Sequence, residues 1–173
     1  MPPGALPLRP TLERVRQSVF DILAHGVAWA GFGDATVLDV FAGSGAYGLE
    51  ALSRGARHAC FIDHDRAVLK AIQRTAAAMG EARTITLLTL DATRLPSPPG
   101  VAQTPAGLAF VDPPYGAGLA VPALTGLAGG WLAPGALAVV EVEAREPFAA
   151  PPPFSIVDQR VLGPARIVFC RMR

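Results

Sequence analysis

The chain has 173 residues, of which 51% are hydrophobic and 17% are charged. This length and composition predict one domain, 1–173, with a sizeable core. The 15 Lys and Arg residues nearly balance the 14 Asp and Glu residues, which gives a formal net charge of +1. This balance excludes a polybasic tail, an acidic solvating domain and binding of nucleic acid by bulk charge alone. Without a long apolar run or a signal-peptide pattern, we expect a soluble, cytoplasmic protein.

The N-terminal region, 8–26, is predicted to be mainly one amphipathic helix. The first ten residues contain four prolines and are expected to be extended. A helix is then predicted from about Thr11, as its N-cap, to Gly26, because apolar residues recur at spacings of three and four. The remaining residues, 36–173, form the predicted core of the domain.

From residue 36 onward, short apolar runs alternate with amphipathic segments. Five strands separated largely by helices predict a parallel, doubly wound sheet. The last two strands follow each other with only a short Gly-Pro turn between them, which predicts an antiparallel hairpin at one edge. The result is an α/β, Rossmann-like, mostly parallel seven-stranded sheet with helices on both faces. The predicted strands cover 36–41, 58–63, 83–89, 107–111, 136–142, 154–158 and 166–171, and the predicted helices cover 46–54, 65–79 and 119–128.

The two cysteines, Cys60 and Cys170, lie in apolar runs and are expected to be buried core residues. They form no Cys-x-x-Cys pair and no cluster with histidines, so neither a disulfide framework nor a metal site is predicted.

A glycine-rich turn, Gly43-Ser-Gly45-Ala-Tyr-Gly48, joins the first core strand to the next helix. Such a turn lets backbone approach a ligand closely at a helix N-terminus. Asp63, twenty residues past Gly43, ends the next strand, where a carboxylate can bind the ribose hydroxyls of a nucleoside cofactor. A surface or helix-capping acid is the alternative for Asp63, although Asp65 is better placed as the N-cap. The glycine turn and Asp63 are equally compatible with an NAD-dependent enzyme and with an S-adenosylmethionine-dependent enzyme.

Asp39 lies inside the first strand's apolar run, where an unpaired buried carboxylate costs several kcal/mol. A cationic ligand, such as S-adenosylmethionine with its ammonium and sulfonium groups, would offset this cost if the carboxylate faces it. The alternative is a carboxylate that caps nearby backbone N–H groups. Together with the terminal hairpin, which is unusual for NAD domains, Asp39 favours S-adenosylmethionine over an NAD(P) oxidoreductase.

The sequence Asp112-Pro113-Pro114-Tyr115 follows the fourth core strand, where ligands of open α/β sheets bind. The Asp112 carboxylate and the Pro113 carbonyl offer two acceptors for the two N–H groups of an exocyclic amine. Tyr115 offers a ring on which a nucleobase can stack. The alternative is that this segment is a Pro-Pro turn beside an aromatic residue, with a structural role only.

With these motifs, the sequence resembles the RsmD family of bacterial 16S ribosomal RNA guanine-N2 methyltransferases. The similarity covers residue 8 to the C-terminus and is most specific in the Arg-Pro-Thr helix and the Phe-Ala-Gly-Ser-Gly run. The family usually has a basic stretch before Arg-Pro-Thr, whereas residues 1–7 carry no charged side chain. The matching segments are 8–23, 37–56, 61–66, 91–92 and 110–116.

The resemblance implies a class I methyltransferase fold, S-adenosylmethionine as cofactor and methyl transfer to a guanine N2 amine in 16S ribosomal RNA. It further implies a monomer that acts on RNA within a small-subunit ribonucleoprotein, with no membrane and no metal. Carried over residue by residue, it assigns catalysis to Asp112, Pro113, Pro114 and Tyr115, cofactor binding to Asp39, Phe41, Gly43, Gly45, Asp63, His64, Asp91 and Ala92, and substrate binding to Arg9, Thr11 and Arg14.

Several alternatives stay open at this stage. For the three residues of the first helix, a structural role, as part of a solvated helix face or as an N-cap, is as good an interpretation as substrate binding. An adenine or cytosine amine in DNA would suit the same Asp-Pro-Pro-Tyr sequence, as would a non-catalytic partner subunit with the same fold. Four arginines near the C-terminus indicate either phosphate binding or solvated strand edges that resist aggregation. They are Arg160, Arg166, Arg171 and Arg173.

Overall fold

A computed structural model describes the backbone of residues 8–173 and the side chains from residue 12 onward. Its elements follow the predicted alternation of strands and helices, and a short 3-10 helix, Gly100–Ala102, lies in the Pro-rich loop. The helices are α1 (Leu8–His25), α2 (Ala46–Ser53), α3 (Arg66–Ala78) and α4 (Ala120–Leu127), and the strands are β1 (Thr36–Val40), β2 (His58–Asp63), β3 (Ile85–Thr89), β4 (Ala106–Val111), β5 (Leu132–Glu143), β6 (Phe154–Leu162) and β7 (Ala165–Met172).

The strands form one seven-stranded sheet in the order β3-β2-β1-β4-β5-β7-β6. The first five are parallel, whereas β7 pairs antiparallel with both β5 and β6. The predicted fold class is therefore confirmed. Because the chain order reverses beside β1, the loops after β1 and β4 lie side by side, which is where open α/β sheets bind ligands.

Helices cover both faces of the sheet. On one face α1, α2 and α3 bury residues such as Phe20, Leu52 and Ile72 against the sheet. On the other face α4 and the fully buried Trp131 pack against β4 and β5. The Trp131 indole Nε1 donates to the Pro96 carbonyl at 2.8 Å, which fixes the Pro-rich loop to this core.

The sequence-based helix boundary at the N-terminus is wrong. Helix α1 begins at Leu8, so residues 8–10 are helical rather than extended, and Thr11 lies inside the helix instead of capping it. Pro10 is compatible with this start because N–H groups in the first turn have no intrahelical partner. Residues 1–7, the rest of the predicted extended segment, lie outside the described part of the chain.

Strands β5 and β6 are longer than predicted. Strand β5 begins at Leu132, four residues before the predicted start, because a register shift against β4 accommodates Pro134 and Gly135. A proline cannot donate to the ladder, so the pattern at this point does not look like a strand in sequence.

Both cysteines are buried, as predicted. Within the described residues, no helix combines the length and hydropathy needed to cross a membrane. Over the same part of the chain, no group of three or more His, Cys, Asp or Glu side chains is arranged to hold a metal ion.

Close packing between α2 and the sheet depends on a glycine. A Cβ atom at Gly48 would lie 2.4 Å from Phe61 Cε1 and 3.2 Å from Asp39 Cβ. The Phe61 ring is fully buried and cannot move away cheaply. This glycine therefore sets how closely α2 approaches β1 and β2.

We predict that Gly48→Ala lowers the free energy of unfolding by about 1–3 kcal/mol, because the added methyl group overpacks the core. Chemical denaturation of the variant and the wild type would measure the difference. The matched control is Gly100→Ala, where the added Cβ would have no heavy atom within 4 Å. Equal destabilisation by the two substitutions would contradict the packing interpretation.

Candidate active site

The candidate site lies at the carboxyl ends of β1, β2, β4 and β5. In the sheet register, Val111 pairs with Val40 on one side and with Val140 on the other. Asp112 and Glu141 each follow the paired valine, so they reach the same edge of the sheet. Adjacent parallel strands point aligned residues to the same face, and Asp39 also points to this face, the one covered by α1 and α2.

The loop after β1 carries three residues with positive φ angles, namely Phe41 at 60°, Gly43 at 54° and Gly45 at 75°. Such a conformation in a phenylalanine costs of order 1–3 kcal/mol and is typical of functional sites. The N-cap residue of α2, Gly45, has no side chain to cap the helix. The predicted glycine turn therefore presents backbone N–H groups at the amino end of α2.

Asp63, at the end of β2, ties two loops together. Its Oδ2 accepts from the Gly43 N–H at 3.0 Å, and its Oδ1 accepts from the Asp65 N–H at 2.9 Å. Its side chain is 11% exposed, while that of His64 is 84% exposed. A carboxylate has about four lone-pair sites, so Asp63 keeps acceptor capacity for ligand hydroxyls. Asp65 is the N-cap of α3, as predicted, and accepts from Ala67 N–H at 2.8 Å.

Asp91 and Ala92 line a cavity of about 380 Å³ after β3. The Asp91 Oδ1 accepts from the backbone N–H and the hydroxyl of Thr93 at 2.9 and 2.6 Å. These hydrogen bonds from Thr93 hold the pKa of Asp91 below its ordinary value. Predicted site residues from the ends of four strands meet here: the cavity is lined by Phe41, Asp63, His64, Leu90, Asp91, Ala92, Thr93, Pro114 and Leu119.

The Asp39 side chain is only 2% exposed, and its Oδ2 accepts from the Gly48 N–H at 2.9 Å. Asp39 therefore caps a backbone N–H group, which is one of the two roles that the sequence left open. Burial nevertheless raises the pKa of Asp39 to about 7, and the charge of Asp63 adds to the rise. One backbone hydrogen bond does not offset the cost of burying this charge.

Asp112 lines the same cavity of about 270 Å³ as Asp39 and Glu141. Burial, followed by the neighbouring Glu141, raises the pKa of Asp112 to about 8. Of the charged side chains from residue 12 onward that line this cavity, three are acids and one, Arg16 of α1, is basic. The cavity therefore favours a ligand that brings positive charge or N–H donors.

Glu141 was missed by the sequence reasoning. Its side chain is 6% exposed, and its Oε1 accepts from the Tyr115 hydroxyl at 2.8 Å. The signal was present, because Glu141 interrupts an apolar strand in the same way as Asp39 does. Its alignment with Asp112, 29 positions earlier in the chain, depends on strand pairing and was not visible in sequence.

The Asp-Pro-Pro-Tyr segment separates two cavities. Pro113 is buried, whereas Pro114 and Tyr115 are exposed, and the Tyr115 side chain is 45% exposed despite its hydrogen bond. Pro114 lines the cavity of Asp91, and the whole segment lines an open cavity of about 470 Å³. Phe41 borders both cavities and that of Asp39, so the three are neighbours.

Helix α1 reaches the site through residues other than those predicted. Leu12, Val15 and Arg16 line the cavity of Asp39 and Asp112. Arg14 instead lines a separate, outer cavity beside Glu50. The side chains of Arg9 and Thr11 lie outside the described part of the chain.

Three of the four C-terminal arginines have partners within the chain. Arg160 pairs with Asp158 at 3.1 Å, and Arg166 donates to the Glu146 carbonyl at 2.5 Å. Arg171 donates to the Ala28 carbonyl at 2.5 Å, which links β7 to the segment after α1. These contacts indicate a structural role for most of this positive charge.

The sheet order and the ligand-facing loops are those of a class I S-adenosylmethionine-dependent methyltransferase. The same fold occurs in the magnesium protoporphyrin IX methyltransferase of Synechocystis PCC 6803, solved with bound SAM, at a TM-score of 0.69 and 15% identity over 98% of this chain and 86% of that one. The Escherichia coli protein yhhF has a TM-score of 0.78 and 34% identity over 99% of this chain and 89% of that one.

The chain belongs to the family described as Conserved hypothetical protein 95, whose model matches residues 2–171. It is also 39% identical over 167 residues to the Ribosomal RNA small subunit methyltransferase D of Escherichia coli strain K12, covering 93% of this chain and 78% of that protein. The resemblance inferred from the motifs is confirmed by these comparisons.

We predict that Asp112→Asn stabilises the protein increasingly as the pH rises. The folded state raises the pKa of Asp112 from 3.8 to about 8, so it binds this proton more tightly than the unfolded state does. The protonated Asp112 carboxyl group therefore contributes its full stabilisation below pH 3.8, and this contribution is lost as the pH rises through about 8. Asparagine does not titrate, so the stability of the variant does not fall with pH for this reason.

Denaturant titrations at a series of pH values would measure the difference in free energy of unfolding between variant and wild type. The same substitution at Asp21, an exposed residue of α1, controls for the removal of one negative charge. A difference between Asp112→Asn and wild type that stays constant over this pH range would contradict the prediction.

Proposed function

We propose that the protein transfers a methyl group from S-adenosylmethionine to the exocyclic N2 amine of a guanine in 16S ribosomal RNA. The observation that carries this proposal is the position of Asp112-Pro113-Pro114-Tyr115 between a nucleoside-sized cavity and an open cavity beside an exposed aromatic ring. The family relationship to a small-subunit ribosomal RNA methyltransferase supports the choice of RNA.

The residues present fit the proposed cofactor. Asp63 offers acceptors for ribose hydroxyls, and the cavity of Asp91 and Ala92 has room for the adenine. The amino end of α2, where Gly45 provides no capping side chain and Asp39 accepts from the Gly48 N–H alone, suits a carboxylate. Asp39, buried without a cationic partner within 4 Å among the described residues, suits an ammonium or sulfonium group. When bound, S-adenosylmethionine supplies a methyl group on a positively charged sulfur.

The chain's own part in the reaction is to hold and orient the amine. The lone pair of a nucleobase amine is delocalised into the ring, so the amine is a poor nucleophile. We propose that the Asp112 carboxylate and the Pro113 carbonyl accept its two N–H groups and direct the lone pair away from the ring. As the nitrogen gains the methyl group and the bond from that methyl to sulfur breaks, the nitrogen must lose one proton, and the hydrogen-bonded Asp112 carboxylate would accept it. Orientation of this kind supplies on the order of 7–11 kcal/mol in favourable cases.

Tyr115 is the proposed stacking surface for the base. Its hydrogen bond to Glu141 fixes the hydroxyl end, while its ring remains 45% exposed beside the open cavity. Base stacking on an aromatic ring is worth roughly 1–3 kcal/mol. A base paired within RNA must first be turned out of its stack, at a cost of a few kcal/mol.

The near-neutral net charge of +1 supports a substrate presented by an assembled ribonucleoprotein rather than by free RNA. Arg160 is paired with Asp158, and the guanidinium groups of Arg166 and Arg171 are held by backbone carbonyls, so these three side chains are not free to reach out to phosphates. We propose that the protein acts as a monomer on the small ribosomal subunit or its precursor.

The test is methyl transfer from labelled S-adenosylmethionine to small ribosomal subunits, free ribosomal RNA and DNA, followed by mapping of the methylated base. We predict N2-methylguanine in 16S ribosomal RNA, with assembled particles as the best substrate. Absence of transfer to any RNA would contradict the proposal. Transfer to adenine or cytosine in DNA alone would support a DNA amino-methyltransferase instead.

We predict that Asp112→Ala lowers kcat/KM by at least a hundredfold or so, because the amine loses one of its two acceptors. Asp112→Asn keeps a carbonyl acceptor and should retain more activity than Asp112→Ala. Binding of S-adenosylhomocysteine, measured by calorimetry, serves as the control for an intact cofactor site. Full activity of Asp112→Ala would show that the acceptor-pair mechanism is wrong.

A further inference from the structure

The Glu141 side chain has a position that the proposed mechanism does not use. It lies at the carboxyl end of β5, beside Asp112 at the end of β4, and it lines both the cavity of Asp39 and the open cavity of Tyr115. Only 6% of the residue is exposed. Burying a carboxyl group in this way is costly unless a ligand or a partner compensates for it.

The surroundings of Glu141 provide little compensation. Among the described residues, the Tyr115 hydroxyl donates to Oε1 of Glu141 at 2.8 Å, and Glu141 also shares a side-chain hydrogen bond with Asp112, which raises the pKa of Asp112. None of the ion pairs of the described chain involves Glu141. The titratable groups that share its cavities are Asp39 of β1, Asp112 after β4, Tyr47 of α2, Arg16 of α1, and Asp63, His64 and Tyr115 at the rim.

The edges of the three amine-bearing bases differ next to the amine. In guanine, the N2 amine lies beside N1–H, which is a donor. In adenine and cytosine, the corresponding ring nitrogen carries no hydrogen and is an acceptor. An ionised carboxylate only accepts hydrogen bonds, so it pairs with N1–H of guanine and repels the lone pair of the other two bases.

We propose that Glu141 is the residue that selects guanine, by accepting the N1–H of the base while Asp112 accepts the adjacent N2–H. This inference rests on the proposed function and names the group that sets its base specificity. The two carboxyl groups lie side by side, as do the two donors of guanine. Binding of these donors favours the ionised form of Asp112, whose pKa is raised by burial and by Glu141 to about 8.

A purely structural role of Glu141 would be to hold Tyr115. The two roles differ in their response to Glu141→Gln, because a glutamine oxygen can still accept from the Tyr115 hydroxyl. The amide nitrogen, however, is a donor and cannot accept N1–H. The variant therefore preserves the contact with Tyr115 and removes the proposed contact with guanine.

The test uses the target RNA with either guanine or 2-aminopurine at the methylated position, in reconstituted small ribosomal subunits. Both bases carry the same N2 amine, but N1 of 2-aminopurine is an acceptor. We predict that the wild-type enzyme favours guanine by at least about tenfold in kcat/KM. In Glu141→Gln this preference should fall to about threefold or less, with loss of activity on guanine and gain on 2-aminopurine.

Two control variants accompany Glu141→Gln. Glu143→Gln makes the same chemical change at an exposed position two residues along β5 and should keep the wild-type preference. Tyr115→Phe removes the hydroxyl contact and should weaken catalysis while guanine stays favoured. An unchanged preference for guanine in Glu141→Gln would overturn the role of Glu141, and so would an equal reaction of the wild type with both bases. Failure of the wild type to methylate guanine at all would instead overturn the proposed function.

Discussion

The arrangement of the site depends on three carboxyl groups, two buried and one half-buried, that lie together at one edge of a parallel sheet. Asp39, Asp112 and Glu141 come from β1, the turn after β4, and β5, and they line one cavity in which Arg16 is the basic residue among the side chains that the structure describes. Burial, with a smaller contribution from the charge of Asp63, raises the pKa of Asp39 to about 7, and burial together with Glu141 raises that of Asp112 to about 8. Packed apolar strands hold these groups in place, so the repulsion cannot be relieved by moving them apart.

Because the carboxyl groups must be held in place, the residues around them pack closely and form hydrogen bonds with them. Gly48 allows α2 to approach the sheet, and its N–H gives Asp39 a hydrogen bond. Tyr115 donates a hydrogen bond to Glu141 and is thereby oriented beside the open cavity. The protein thus maintains a destabilised cluster of acids for its ligands, which is the usual relation between stability and function at an active site.

The fold was largely predictable because short apolar runs alternate with helical segments, and the first three helices are each followed by a glycine, at Gly26, Gly55 and Gly80. Asp39 was found because it interrupts such a run. Glu141 interrupts another run in the same way, but its importance depends on pairing between β4 and β5, which no local pattern reveals. Contacts distant in sequence were also invisible, such as that between Arg171 and Ala28, 143 positions apart.

The start of α1 shows a different limit. Four prolines in ten residues favoured an extended segment, yet Pro10 lies in the first turn of the helix, where it costs no hydrogen bond. Arg16 rather than Arg14 lines the cavity of the acids, which locates the helix's charge at the site.

The most direct measurement is the number of protons released when ligands bind, obtained by calorimetry in buffers of different ionisation enthalpy at a pH just below 7. S-adenosylmethionine and S-adenosylhomocysteine differ in one methyl group and one positive charge on sulfur. If the buried carboxyl groups face that charge, S-adenosylmethionine must lower their pKa values and release more protons than S-adenosylhomocysteine does. Equal proton release by the two ligands would show that the acid cluster does not face the reacting sulfur.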